Sequence, residues 1–207
     1  SKPDIYIAND YEIPDFVYYN QGNGNFRDVN KETFGHNSQS SMGCDISDIN
    51  NDGWPDIAIM DMTAADRIRN KTLMLPMNEK VFLFLKDDRK FQEQYMFNVM
   101  QINNGNGTFR DIGQLANTTS TDWSWAVLLA DYDMDGDKDY FVTNGFLNDT
   151  RDRDARQENI DNPYKSVADQ LDRLKSYPSV PLLNYFIENK GQYTFENASE
   201  SWTEGTK

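Results

Sequence analysis

The stretch Asp131 to Asp139, DYDMDGDKD, has a looser copy at Asp48 to Asp56, DINNDGWPD. In both, an oxygen-bearing side chain stands at loop positions one, three, five and nine, and glycine stands at position six. Side chains so spaced turn hard oxygen ligands toward one point, and glycine at the bend lets the backbone take a positive φ. The pattern predicts two cation sites. Asp131, Asp133, Asp135 and Asp139 form one, with the carbonyl of Asp137 as backbone ligand; Asp48, the amide oxygen of Asn50, Asp52 and Asp56 form the other, with the carbonyl of Trp54. Calcium suits such loops because it accepts six to eight oxygens in flexible geometry, whereas magnesium holds to a tight octahedron. The plain alternative is an acidic, glycine-containing turn that is only a soluble hairpin tip.

An EF-hand opens the same way, but it needs a glutamate at position twelve and helices on both flanks. Position twelve here is Ile59 or Val142. After position nine the chain runs Asp56-Ile-Ala-Ile-Met and Asp139-Tyr-Phe-Val-Thr, short apolar runs rich in β-branched and aromatic residues that read as strands. The two loops therefore join strand to strand.

Three further segments align with one another: YYNQGNGNFRDV from Tyr18, QINNGNGTFRDI from Gln101 and YFIENKGQYTFENA from Tyr185. Each is a strand, a tight glycine turn and a strand opening on an aromatic residue, the mark of a hairpin. With the loops between them, one unit reads as strand, metal loop, strand, connection, strand, glycine turn, strand. Residues 1–30 supply the last three strands of one unit, residues 41–112 a complete unit and residues 123–198 another. The loops start roughly eighty residues apart, about twice what a four-stranded blade needs, so each complete unit carries an insertion. The first insertion, 63–94, holds two helical pieces, AADRIRNKT and NEKVFLFLKDDRK, broken at Pro76; Met74, Met77, Met96 and Met100 read as adaptable core filler. In the second, 148–181, the charge run NDTRDRDARQEN reads as a solvated loop. It leads to a helix capped at Asn162-Pro163 and ending before Pro178, whose Val167, Leu171 and Leu174 are expected to pack on the neighbouring sheet.

These residues carry a resemblance. The acidic loops before apolar strands, the GNGNFRDV and GNGTFRDI hairpins and the run DWSWAVLLADYDMDGDKDYFVTNG resemble FG-GAP/VCBS repeats, the units of integrin-α-like β-propellers, and most of all the bacterial VCBS type. The resemblance implies a mainly β fold of four-stranded antiparallel blades around an axis, here a partial propeller of about two and a half blades with helical insertions. It also implies calcium in the loop between the first two strands of a blade. Asn50 departs from the carboxylate pattern at its position. Propellers generally close with four to eight blades, so the chain reads as part of a longer protein, with open blade edges that invite self-association.

Across 207 residues the chain carries a formal charge of -14. That balance speaks against nucleic acid and anionic membranes, which favour basic surfaces. Two bound calcium ions would bring the total to about -10. No apolar run reaches about 18 residues, so no membrane insertion is expected. The lone Cys44 cannot pair within the chain. The functional expectation is a non-catalytic, exported module, extracellular, at the cell surface or periplasmic, that serves adhesion to a protein or glycan partner through loops on a rigid scaffold. The rival is a polysaccharide lyase or hydrolase on the same scaffold, using carboxylates such as Asp152 and Asp154 or Glu93 beside Tyr95. His36 stands in a polar loop with no nucleophile or ligand spacing around it. Trp123 and Trp125, two apart, are expected to pack on one face near the core rather than form a sugar platform.

Overall fold

The computed structural model describes residues 2–73 and 78–203. The first sheet is three antiparallel strands in sequence order, β1 (Ile5–Ile7), β2 (Phe16–Gly22) and β3 (Asn25–Asp28), followed by the short helix α1 (Asn30–Thr33) and the two-residue strand β4 (Asn37–Ser38). The second sheet begins with β5 (Gly43–Ser47) and β6 (Asp56–Met60), which flank the first acidic loop. The chain then forms β7 (Met62–Thr63), helix α2 (Arg67–Leu73), helix α3 (Glu79–Leu83) running into a π-turn at Phe84–Asp88, and β8 (Gln94–Tyr95). It returns as β9 (Val99–Asn103) and β10 (Phe109–Asp111), giving the order β10-β9-β6-β5. The third sheet comprises β11 (Asp122–Ala130), β12 (Asp139–Asn144), helices α4 (Arg153–Asp161) and α5 (Val167–Ser176), then β13 (Tyr185–Asn189) and β14 (Phe195–Asn197) before helix α6 (Ser199–Thr203).

These are propeller blades, mainly β, with helical insertions, and three features bind one to the next. The middle blade is apolar on both faces, because β6 is buried along its whole length. Ile57 and Ile59 pack with Val17 of the first sheet and with Val29 and Phe34 at the two ends of α1, whereas Ala58 and Met60 pack with Val127, Tyr140 and Val142 of the third sheet. Successive residues of a strand face opposite ways, so a strand between two cores reads as an unbroken apolar run. Strand β7 leaves its own blade and pairs with β11, Thr63 opposite Asp122 and Met62 opposite Trp123. On the inner strands, Leu129 N–H donates to Asp45 Oδ2 at 2.8 Å.

The second insertion differs from expectation. From Arg153 onward the charge run is helical as α4, because the Asp152 carboxylate accepts from the N–H groups of Asp154 and Ala155, each at 3.0 Å, and caps the first turn. Asn162 ends that helix instead of starting the next. Helix α5 is capped by Ser166, whose Oγ accepts from Asp169 N at 3.1 Å while Lys165 N donates to Asp169 Oδ2 at 2.9 Å. Most of the apolar stripe of α5 faces solvent: Val167 is 73% and Leu171 51% exposed, and only Leu174 is half-buried. Of the methionines, Met100 of β9 is core and Met96 packs beside Met62 and Trp123, while Met74, Pro76 and Met77 of the first insertion lie outside the described residues. The two tryptophans also part company. A register irregularity between Ser124 and Ala126 leaves Trp125 46% exposed, with its Nε1–H donating to Gly145 O, while Trp123 is buried against Phe146.

Candidate metal centre

Both acidic loops are turns between the first two strands of a blade, and their backbone follows from the glycines at position six: Gly53 has φ +90° and Gly136 φ +100°. These values are open to glycine and strained for any residue with a Cβ. The glycine N–H in each loop donates to the carboxylate at position one, Gly53 to Asp48 Oδ2 at 2.8 Å and Gly136 to Asp131 Oδ2 at 3.1 Å. The acid at position five likewise accepts from the N–H two residues on, Trp54 to Asp52 and Asp137 to Asp135, each at 2.9 Å.

Position nine is fixed by a device that recurs in both loops. One oxygen of Asp56 accepts from Ile49 N–H at 2.9 Å and the other from Asn103 N–H at 2.8 Å. Asp139 does the same with Tyr132 N–H at 3.0 Å and Asn189 N–H at 2.9 Å. The asparagine side chains then buttress the loops: Asn103 Nδ2 donates to Pro55 O, and Asn189 Nδ2 donates to both Lys138 O and Ile49 O, all at 3.1 Å. Each asparagine also accepts from the glycine two residues on, Gly105 or Gly191. The first sheet repeats the pattern, with Asn20 N–H on Asp4 Oδ1 at 2.8 Å, Asn20 Nδ2 on Pro3 O and Gly22 N–H on Asn20 Oδ1.

The two loops differ in how their acids converge. Asp131, Asp133 and Asp139 each present an oxygen within 4.8 Å of the others, the one such acidic trio among the described residues. Asp131 Oδ1 in this group is buried and has no hydrogen-bond partner. A buried oxygen without a donor is costly, and a cation among the three carboxylates would relieve it, so the residues fit a hard ion. Burial pushes the Asp139 carboxyl up from its usual range, with Asp133 and Asp135 adding repulsion; a divalent cation would reverse that balance. Asp135 and Asp137 stand outside the trio. In the first loop Asp48, Asp52 and Asp56 do not come together so closely. There Asn50 Nδ2 donates to Asp52 Oδ2 at 2.9 Å and to Tyr193 Oη at 3.1 Å, tying the loop to the hairpin of the next blade. Burial raises the Asp56 carboxyl as it does Asp139. Trp54, expected to lend only its carbonyl, has a half-exposed indole.

The model of FG-GAP-like repeats matches residues 1–59 and 82–142, more than half of the chain. The chain belongs to the FG-GAP-like repeat family. No curated protein sequence adds to that comparison with a match. Both matched stretches of this FG-GAP-like chain include an acidic loop, and the second stops within β12, ahead of the second insertion. Beyond that point the geometry continues the repeat, since Asn189 supports the second loop as Asn103 supports the first. Repeats of this family form propellers, often bind calcium, and generally act as non-catalytic modules.

The buttressing asparagines were legible as Asn-x-Gly at one offset in all three hairpins, Asn20, Asn103 and Asn189, but hairpin reading alone assigns them to the turn. Cross-loop contacts such as Asn50 with Tyr193 have no sequence signal, because their partners lie in different blades.

Proposed function

We propose that the chain is a calcium-stabilised, non-catalytic binding module, acting outside the cell or in the periplasm, whose insertions meet a protein or glycan partner. The observation that carries this reading is the trio of Asp131, Asp133 and Asp139 with its unpartnered buried oxygen, set in a turn between strands. Oxygen-only ligands in a flexible loop suit calcium, and the millimolar concentrations found outside cells match the weaker loops of this kind. Strand direction supports the division of labour. Acidic loops and glycine hairpins share one end of the blades, and both insertions leave from the other. Among the described residues no helix is long and apolar enough to cross a membrane.

Two of the carboxylates considered for an enzyme are otherwise engaged. Asp152 caps α4, and Glu93 is paired with Lys86 and accepts from Tyr95 Oη at 2.7 Å. His36 pairs with Asp111 at 3.2 Å and packs edge-on to Tyr95 and Phe97. Self-association belongs to the same proposal, because Ile5 and Ile7 on the outer face of the first sheet are 43% and 40% exposed. Calcium titration by calorimetry, with glycan and peptide arrays probed in calcium and in chelator, tests the reading. Heat of calcium binding and array binding that chelator removes are expected. Turnover of an acidic polysaccharide that one side-chain change abolishes would overturn it.

A further inference from the structure

At the insertion end lies a cavity of about 420 Å³ lined by strands of the third sheet and by the connections around it, among them Tyr11 between β1 and β2, Met62 of β7, Phe82 of the first insertion, Trp123 of β11 and Arg151 of the second insertion. Its walls are mostly apolar, with Met62, Met96, Phe82 and Leu85 among them. Three wall residues nevertheless carry a buried polar atom without a hydrogen-bond partner: Gln39 Oε1, Gln94 Oε1 and Trp123 Nε1. Gln94 and Trp123 are only 4% and 6% exposed. Gln94 is held in place, since its Nε2 donates to Glu12 O at 3.1 Å. Buried polar atoms nearly always find a mate, and three orphans around one cavity point to something that enters it.

Two further observations narrow what enters. Arg151 sits with its guanidinium 4.9 Å from the centre of the Trp123 ring, and among the described residues it has no ion pair or hydrogen bond. Among those residues it is the one basic member of the lining, opposite in charge to Glu12 and without an ion pair of its own. The Trp123 ring is also stacked on Phe146 at 4.4 Å, so with Arg151 over it no bare face remains for a sugar to stack on. A sugar brings hydroxyls on every edge, and walls that are mostly apolar would leave many of them without a polar mate.

We propose that this cavity receives a peptide segment of a partner protein, with an apolar side chain entering between Met62, Met96 and Phe82 and a neighbouring carboxylate meeting Arg151. The donor at Trp123 Nε1 and the acceptors at Gln39 and Gln94 complement the C=O and N–H groups of adjacent peptide units. The carboxylate and guanidinium form a charge-assisted pair at the mouth. The inference rests on the reading above that the insertion end carries the partner.

Saturation-transfer NMR of the full chain tests it, with acetyl-Gly-Phe-Asp-Gly-amide as probe, counterparts carrying Ser for Phe or Lys for Asp, and a galacturonic acid trimer. Transfer is expected from the Phe-Asp peptide and not from the others. Arg151→Glu, on an exposed residue, is expected to weaken binding about tenfold or more with little change in melting temperature. Phe82→Ala should weaken it independently of charge. Absence of transfer from the Phe-Asp peptide, equal transfer from the Lys counterpart, or indifference to Arg151→Glu would each overturn the proposal. Transfer from the trimer alone would do so too, while leaving the binding-module reading intact.

Discussion

Asn51 of the first acidic loop donates through Nδ2 to Asp137 Oδ1 of the second across 2.7 Å, and to Gly136 O at 3.3 Å. Adjacent blades are thus joined at the tips of their acidic turns as well as through their cores. Asn51 has φ +57°, in the left-handed region that asparagine tolerates. Asn51→Gly keeps that backbone accessible, so its cost isolates the contact, about 0.5–1 kcal/mol for an exposed site. Asn51→Ala adds a left-handed penalty of about 1 kcal/mol. Urea midpoints should rank wild type above the glycine variant and the alanine variant lowest; equal midpoints would show that the tips do not hold the blades together.

Metal removal should act on the same region. A ligand bound only by the native state stabilises it by about 2.7 kcal/mol at a hundredfold excess over its dissociation constant. Chelator is therefore expected to lower the melting temperature by several degrees. Asp131→Asn takes a charge from the trio and alters its orphaned oxygen, so it should shrink the gap between calcium and chelator melts. A gap of the same size in Asp131→Asn would place the stabilising ion elsewhere.

Much of the architecture was legible because period and spacing are local properties. The run Asp56-Ile-Ala-Ile-Met is a strand by composition, and the DxDxDGxxD spacing fixes a turn whatever surrounds it. Helix α5 shows the limit. Val167 and Leu171 recur at helical spacing, which says that they share a face but not what that face meets, and in the fold they meet solvent. Helix α4 was hidden because its residues are polar all round, leaving only the Asp152 cap as a sign. The candidate metal centre divides in the same way. Ligand types are written in the loop, while the support for Asp139 comes from Asn189 on the neighbouring strand β13, across the second insertion.

Asn189 is the next test, because it is 3% exposed and its side chain serves carbonyls in both loops. Asn189→Ala leaves Ile49 O and Lys138 O without that donor, at a cost of about 2–4 kcal/mol. Asn103 reaches only Pro55 O with its Nδ2, at an exposed site, so Asn103→Ala should cost less. Denaturant unfolding of the two variants checks the order. The reverse order would mean that the loops are supported separately in each blade.

Asp61, between β6 and β7, is fully buried and accepts from Ser38 Oγ at 2.6 Å and from the N–H groups of Gln39, Ser40 and Met62. Burial outweighs these bonds and pushes its carboxyl up to about 6 from 3.8. Between those pH values the folded chain holds a proton that the unfolded chain has released. Its contribution is thus fully present below about pH 4 and is lost as pH rises through 6, a swing of up to about 3 kcal/mol. Asp61→Asn cannot titrate, and it should be less stable throughout because its amide nitrogen faces donors. Other carboxyls raised by burial, such as Asp15, titrate in both proteins and cancel in the difference. Unfolding free energies measured in chelator from about pH 4 to 7 should therefore show wild type losing ground to the variant as pH rises. A difference that stays constant with pH would mean that Asp61 keeps its charge in the folded protein, held ionised by its four donors.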